Sequence, residues 1–278
     1  MSARLLTAVT VVCLQCIACG GGGDGGSSTS FDGGTACSAL GFQKSLKVLN
    51  GEVCPLDGAE DTSSIVKVEL TSGGSATGVC TGTVIAPRAV LTAAHCFAGP
   101  RSGVSIVTSV NGSRSRISAS SVVVHPGFTV NAAGFFLNDV AVIRFANPLP
   151  APSSPVLLSR RASEGESAIV AGYGQTTSTS STTDELYAGS ASIRSVTDNH
   201  VRIDYTKNES HPCRGDSGGA LFVKNAQGLV IVGVVSQSDP SVPSETICEV
   251  GDKTLYTNVD SLAVSSFITS VVPDAAIG

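Results

Sequence analysis

The chain has 278 residues, enough to bury a sizeable core, and one all-β domain of about 200–250 residues fits that length. Only 14% of residues are charged, the formal net charge is -5 and no Lys/Arg-rich block occurs, so there is no electrostatic footprint for nucleic acid. Glycine reaches 31 residues, aromatics are scarce, and Ser, Thr and Val recur in short runs between turn signals, which favours many short strands over long helices.

Residues 1–18 read as a targeting signal. Arg4 supplies a minimal positive charge, and Leu5 to Ala18 is an apolar run too short to span a bilayer. Ile17-Ala18-Cys19 resembles the end of a bacterial lipoprotein signal. That resemblance implies lipidation of Cys19, with anchoring at a bacterial outer membrane or cell surface; the alternative is a secretory signal cleaved nearby. Residues 19–36 are rich in Gly and Ser and cannot bury enough apolar surface to fold. Such a linker reaches on the order of 20–25 Å, enough to lift a domain off a membrane.

Of nine cysteines, Cys13 and Cys16 fall in the signal and Cys19 would carry lipid. Cys37, Cys54, Cys80, Cys96, Cys213 and Cys248 remain, an even set as an exported disulfide protein should have. No C-x-x-C pair or Cys/His cluster with zinc spacing lies in the body of the chain, and no carboxylate cluster lies between Val104 and Ser121, so neither metal nor cofactor is expected.

Apolar and small residues around Pro87-Arg88 predict a hairpin over 79–91, followed by Leu91-Thr92-Ala93-Ala94-His95-Cys96. Asn138-Asp139 heads an apolar strand-like run from Val140 to Phe145, where a carboxylate can be buried against an imidazole. Ala168-Ile169-Val170-Ala171-Gly172-Tyr173-Gly174 reads as another strand end, and Thr176 to Thr183 as an exposed Ser/Thr loop. In Cys213-Arg214-Gly215-Asp216-Ser217-Gly218-Gly219 a serine sits between glycines, a turn suited to expose a hydroxyl and aim amide N–H groups beside it. Ser261 to Val272 has apolar spacing fit for a short terminal helix despite its β-branched residues.

Leu-Thr-Ala-Ala-His-Cys at 91–96, Asn138-Asp139-Val140-Ala141-Val142-Ile143 and Gly-Asp-Ser-Gly-Gly at 215–219 together resemble the chymotrypsin-like (trypsin-like) serine proteases, in that family's order. Chain order also excludes the nucleophile elbow of α/β-hydrolases, which places its histidine after the serine: His95, His125, His200 and His211 all precede Ser217. The resemblance covers about Val48 to the C-terminus and implies an all-β fold of two antiparallel six-stranded β-barrels with a short C-terminal helix. It implies a serine endopeptidase in which Ser217 attacks, His95 moves the proton, Asp139 orients His95, and the amides of Gly215 and Ser217 form the oxyanion hole. Ser236 matches the family serine that supports the buried aspartate. A non-catalytic binding module on a protease scaffold is the alternative, though such relatives usually lose a triad residue.

Lys47-Val48-Leu49-Asn50-Gly51-Glu52 resembles the family's activation site, although valine and glycine are usual where Leu49 and Asn50 stand. The resemblance implies cleavage after Lys47 by an activating protease, with residues 37–47 as pro-segment, 48–278 as protease domain, and the new Val48 amine paired with Asp216. It also implies pairing of Cys80 with Cys96 and Cys213 with Cys248, leaving Cys37 and Cys54 on either side of the cut. If these two pair, cleavage does not release the domain from its linker. The position six residues before Ser217, aspartate in trypsin-like members, is His211, so a preference for cutting after Arg or Lys is not expected. Ser238 and Thr254 replace pocket-opening glycines and Arg214 stands at the rim. The expected substrates are proteins or peptides with small or polar residues before the scissile bond, His211 and Arg214 being a source of acidic preference; the enzyme is expected to act as a monomer.

Overall fold

The computed structural model describes residues 34–42, 46–48, 51–56, 63–110, 112–226 and 228–278, with only the backbone of 46–48 and 110. The signal, Cys19 and nearly all of the linker lie outside the described residues. In chain order the elements begin with α1 (Ala36–Ala39), β1 (Leu46–Val48), β2 (Gly51–Cys54), β3 (Ile65–Ser72), β4 (Ser75–Ala86), β5 (Ala89–Thr92) and β6 (Gly103–Val110). There follow β7 (Ser113–Ser118), β8 (Ser121–Val124), β9 (Thr129–Val130), β10 (Phe136–Leu137) and β11 (Ala141–Arg144). The second half holds β12 (Ser167–Gly172), β13 (Leu186–Val196), β14 (His200–Asp204), β15 (Ala220–Asn225), β16 (Gly228–Ser238), β17 (Lys253–Asn258) and α2 (Leu262–Val271).

Two large antiparallel sheets result, with β9 and β10 pairing as a separate two-stranded sheet. In the first, strands run in the order β7-β6-β3-β4-β5-β11-β8. Its edge strands β7 and β8 are consecutive in the chain, separated by Ala119 and Ser120. The Ala119 amide donates to Val104 O at 2.9 Å and the Ser120 amide to Arg144 O at 2.8 Å, so one bent segment serves both ends of the sheet. In the second, β13-β12-β15-β16-β17-β14 closes into a six-stranded barrel through the β13–β14 pairing, and β2 and β1 extend it beyond β13. The expected all-β architecture is therefore present, with one closed six-stranded barrel and, where a second six-stranded barrel was expected, a seven-stranded half-barrel whose edge strands are joined through Ala119 and Ser120.

Strands with both faces buried explain the core. Along β12, Ala168 and Val170 point into the closed barrel, while Ile169 and Ala171 join the core that spans the two sheets. β15 repeats the pattern, Leu221 and Val223 inward against Ala220 and Phe222 outward. α2 buries Val264, Phe267 and Ile268, a spacing that makes one apolar face, and Ser261 caps it by accepting from the Val264 amide. The long-range core offsets the poor helix propensity of the β-branched residues.

Three disulfides join Cys37 to Cys54, Cys80 to Cys96 and Cys213 to Cys248. Cys37 is fully buried, and Ala36 and Phe42 belong to the same core as the barrel residues. The Cys37 amide also donates to Glu52 Oε2 at 3.1 Å. Ala36, Cys37 and Phe42 are thus packed into the domain.

Candidate active site

The bend between the strands carries His95. A single 3₁₀ turn, Ala94–Phe97, follows β5, and the Cys80–Cys96 disulfide fixes its far side to β4. Asp139 lies just before β11, which pairs with β5 so that Ala141 stands opposite Thr92. Asn138 takes φ 54°, a left-handed turn that asparagine tolerates. This aims the Asp139 carboxylate at the imidazole. Asp139 is fully buried, and its Oδ2 accepts from His95 Nδ1 at 2.7 Å while Oδ1 accepts from the His95 amide at 2.8 Å. Ser236 Oγ donates to the same Oδ2 at 2.6 Å. A carboxylate held by three donors only accepts, so Nδ1 carries the ring proton and Nε2 keeps its lone pair. The His95 side chain remains 21% exposed, open to a cleft.

Ser217 reaches that cleft because two backbones touch. The Thr81 amide donates to Ser217 O at 2.8 Å, and Thr92 Oγ1 donates to Thr81 O at 2.8 Å. Gly218 (φ +85°) lies so close to this pair that a Cβ there would stand 2.1 Å from Thr92 Oγ1 and 2.8 Å from Ala93 N. Only glycine fits. No hydrogen bond joins Ser217 Oγ to His95 in this structure. Gly215 has φ +100°, and a Cβ there would meet Gly174 Cα at 2.9 Å. Its carbonyl accepts from Thr81 Oγ1 at 3.0 Å, which holds the peptide. Among the described residues, neither the Gly215 nor the Ser217 N–H has an acceptor.

Asp216 points the other way, into a cavity of about 240 Å³ lined by Gly51, Ala171, Gly174, Tyr187, His211 and Asp216 itself. Its carboxylate accepts from the amides of Gly174 at 2.8 Å and Cys213 at 2.9 Å. Burial pushes its pKa up to about 6, and those two amides only partly oppose the shift. Lys47 and Val48 pair across a hairpin with Glu52 and Gly51, so in the continuous chain Val48 is tied into β1.

His211, Ser238 and Thr254 come together behind the Ser217 loop: Thr254 pairs with Ser238 across β16 and β17, and Thr254 Oγ1 lies 2.6 Å from His211 Nε2. Arg214 is exposed, and its carbonyl accepts from the Gln175 amide at 2.8 Å.

Four neighbours escaped the sequence reading. Thr81 clamps the Ser217 loop; its place beside Cys80 was the available signal. The Phe136 ring lies 5.6 Å from that of His95, and its amide is held by Gln237 Oε1 at 2.5 Å. Asp252 is 1% exposed and accepts from Ser238 Oγ on the neighbouring strand as well as from the nearby amides of Cys248 and Lys253. Tyr205 stacks on His211 with ring centroids 4.9 Å apart. Among the described residues no cluster of three or more His, Cys, Asp or Glu is placed to hold a metal.

A protein-family model described as Trypsin matches residues 57–263. Chicken (Gallus gallus) Trypsin I-P1 is 27% identical over 230 residues, covering 74% of this chain and 86% of the relative. Phenoloxidase-activating factor 3 of Holotrichia diomphalia is 30% identical over 239 residues, covering 70% of this chain and 66% of that protein. A bacterial relative, the Trypsin of Saccharopolyspora erythraea, is 30% identical over 179 residues, covering 56% and 74% respectively.

Proposed function

Because this chain belongs to the trypsin family of serine endopeptidases, we propose that it hydrolyses peptide bonds through Ser217, His95 and Asp139 by way of an acyl-enzyme. The observation that carries the reading is the fixed imidazole: Asp139 holds His95 through Nδ1 and through the backbone amide, leaving Nε2 free to take a proton. Ser217 Oγ attacks the substrate carbonyl as its proton passes to Nε2. The oxyanion that forms is met by the unpartnered N–H groups of Gly215 and Ser217, each typically worth about 2.7–4 kcal/mol in the transition state. The imidazolium then gives its proton to the leaving amine, and water repeats the sequence on the ester. The Ser217–His95 contact absent from the free chain is one that commonly forms only with substrate bound. The test is covalent labelling by a fluorophosphonate: Ser217 should be the modified residue and Ser217→Ala should remain unlabelled. A cut protein with wild-type Ser217 that takes no label would establish the binding-module alternative.

The chain is further read as a zymogen cut after Lys47. Gly51 lines the Asp216 cavity and lies three residues after Val48, so a freed Val48 amine has about 10 Å of chain with which to reach the carboxylate. Ionised and paired, Asp216 would hold the Gly215–Ser217 turn in its active form. The three disulfides suit an oxidising compartment, in keeping with export; the signal at 1–18, lipidation at Cys19 and the tether at 19–36 complete the reading.

A pH effect follows. Unfolded aspartates ionise near 3.9, whereas Asp216 in the continuous chain stays protonated to about 6. Between these values the native state binds more protons than the unfolded state, so the Asp216 contribution destabilises progressively as pH rises from about 4 to about 6. Pairing with the Val48 amine removes it. The difference in urea midpoint between cut and uncut Ser217→Ala protein should widen over that interval in favour of the cut form. A constant difference would count against insertion.

A further inference from the structure

His95 follows β5 and Asp139 precedes β11 of the seven-stranded sheet, whereas Ser217 precedes β15 of the closed barrel. Their alignment therefore depends on what ties the two halves together. Four side chains from three adjacent strands of the closed barrel, β14, β17 and β16, reach across to one stretch of the other half, residues 136–139. Thr257 Oγ1 donates to Asp139 O at 3.2 Å and Ser236 Oγ to Asp139 Oδ2 at 2.6 Å. Gln237 Oε1 accepts from the Phe136 amide at 2.5 Å, and His200 Nε2 donates to Phe136 O at 2.8 Å. Both polar atoms of the Phe136 backbone are thus held by side chains of the opposite half.

His200 opens β14 and stands opposite Thr257 of β17. Its backbone is fixed in turn, the amide donating to Thr197 Oγ1 at 2.9 Å and the carbonyl accepting from the Thr197 amide at 2.8 Å. A carbonyl oxygen only accepts, so Nε2 carries the ring proton. The ring is half-buried beside that of Phe135, with centroids 6.0 Å apart. Burial lowers its pKa against the pull of Asp139 and Asp239, so the ring is neutral at pH 7 and brings no positive charge toward Asp139. What it fixes is Phe136, whose ring lies 5.6 Å from that of His95 and meets Phe128 edge to face at 5.9 Å. Only Leu137 and Asn138 separate Phe136 from Asp139, and Asn138 is pinned in its left-handed turn by a bond from Nδ2 to Gly127 O at 3.0 Å. A shift of the Phe136 peptide therefore passes to Asp139, which is fully buried, and opens it to water. Water beside that carboxylate would weaken its hold on the imidazolium of the transition state, because charges attract most strongly where solvent is excluded.

We propose that His200, through its bond to Phe136 O, is a positioning residue for the Asp139–His95 pair, keeping the carboxylate dry and aimed from the opposite half of the fold, and that it acts through Phe136 and not on the substrate. Such a role presupposes the reading of Ser217, His95 and Asp139 as the reacting groups. It makes the Phe136 carbonyl the point at which the closed barrel grips the segment carrying Asp139, alongside the bonds from Ser236 and Thr257 to Asp139 itself. A residue with this role affects every reaction of Ser217, including one with a reagent too small to fill any peptide subsite.

The experiment uses full-length exported protein, cut with an immobilised lysine-specific endopeptidase, carrying His200→Leu or His200→Gln. Glutamine can offer an N–H where Nε2 stands, and leucine cannot. His200→Leu is expected to lower kcat on a peptide substrate by about 10–100-fold with KM little changed, and to slow labelling of Ser217 by a fluorophosphonate by the same factor. His200→Gln should recover both rates to within about threefold of wild type. In Asp139→Asn protein, already deprived of the carboxylate, His200→Leu should cost less than about a further twofold, because a residue that acts through Asp139 has nothing left to position. If His200→Leu lowers the urea midpoint, His200→Phe, which keeps a ring beside Phe135 without the N–H, carries the same expectations. Impaired peptide hydrolysis with an unchanged labelling rate, glutamine no better than leucine in folded protein, or the full loss repeated on Asp139→Asn overturns the positioning role alone. A leucine variant as active as wild type does the same. Wild-type protein that neither labels nor hydrolyses any peptide overturns the catalytic reading and the role of His200 with it.

Discussion

Asp139→Asn is expected to lower kcat by about 10⁴, with KM little changed, a magnitude carried over from triads of the chymotrypsin type. The cause lies in the hydrogen-bond count at a fully buried group. Asp139 accepts from the His95 amide, His95 Nδ1 and Ser236 Oγ and donates to nothing. An asparagine offers one acceptor oxygen and an NH₂ that must face a donor or force the ring to accept at Nδ1. In the second arrangement Nε2 carries the proton and cannot take one from Ser217. A neutral amide costs less to bury than a carboxylate, so folding should survive. Steady-state kinetics on cut protein, with a thermal midpoint close to wild type, checks the prediction. Activity within tenfold of wild type would remove Asp139 from the role assigned to it.

Lys47→Gln is expected to leave peptidase activity about 10²–10³ or more below wild type, even after exposure to a lysine-specific endopeptidase, because an unformed oxyanion hole forfeits at least one donor. The continuous chain pairs Val48 with Gly51 in the β1–β2 hairpin, and Asp216 meets only backbone amides in its cavity. Without a new amine there is no cation to draw the carboxylate into its ionised form. The cut can be read on gels. Cys37 and Cys54 are bonded across it, so wild-type protein should run as one band without reductant and as two with it. Lys47→Gln should run as one band under both conditions. Full activity in protein intact across Lys47–Val48 would sink the activation scheme.

Cys37 and Cys54 are the two cysteines left over from the pairings that the family resemblance implies, and the bond between them is present. The sequence did not suggest that Ala36, Cys37 and Phe42 would pack into the main core. The segment before the cut is thus held by burial as well as by the disulfide, and reduction alone has to overcome both.

The sequence alone determined whatever is written in short strings. Gly-Asp-Ser-Gly-Gly encodes a turn, Leu-Thr-Ala-Ala-His-Cys a strand end, Asn-Asp the head of an apolar strand, and their order named the chemistry. Alternating small and β-branched residues announced strands, and six cysteines announced three bridges. Tertiary structure decided everything that depends on desolvation and on which distant segments meet. His211 could be read as a polar or cationic pocket residue until Tyr205, Thr254 and Asp252 were found around it, drawn from β17 and the turns beside it. The state of Asp216 likewise depends on Gly174, some 40 residues away in sequence but 2.8 Å away in space. Local patterns specify backbone shape and the identity of reactive atoms, whereas charge state and pocket depth are set by burial, which is a property of the folded neighbourhood.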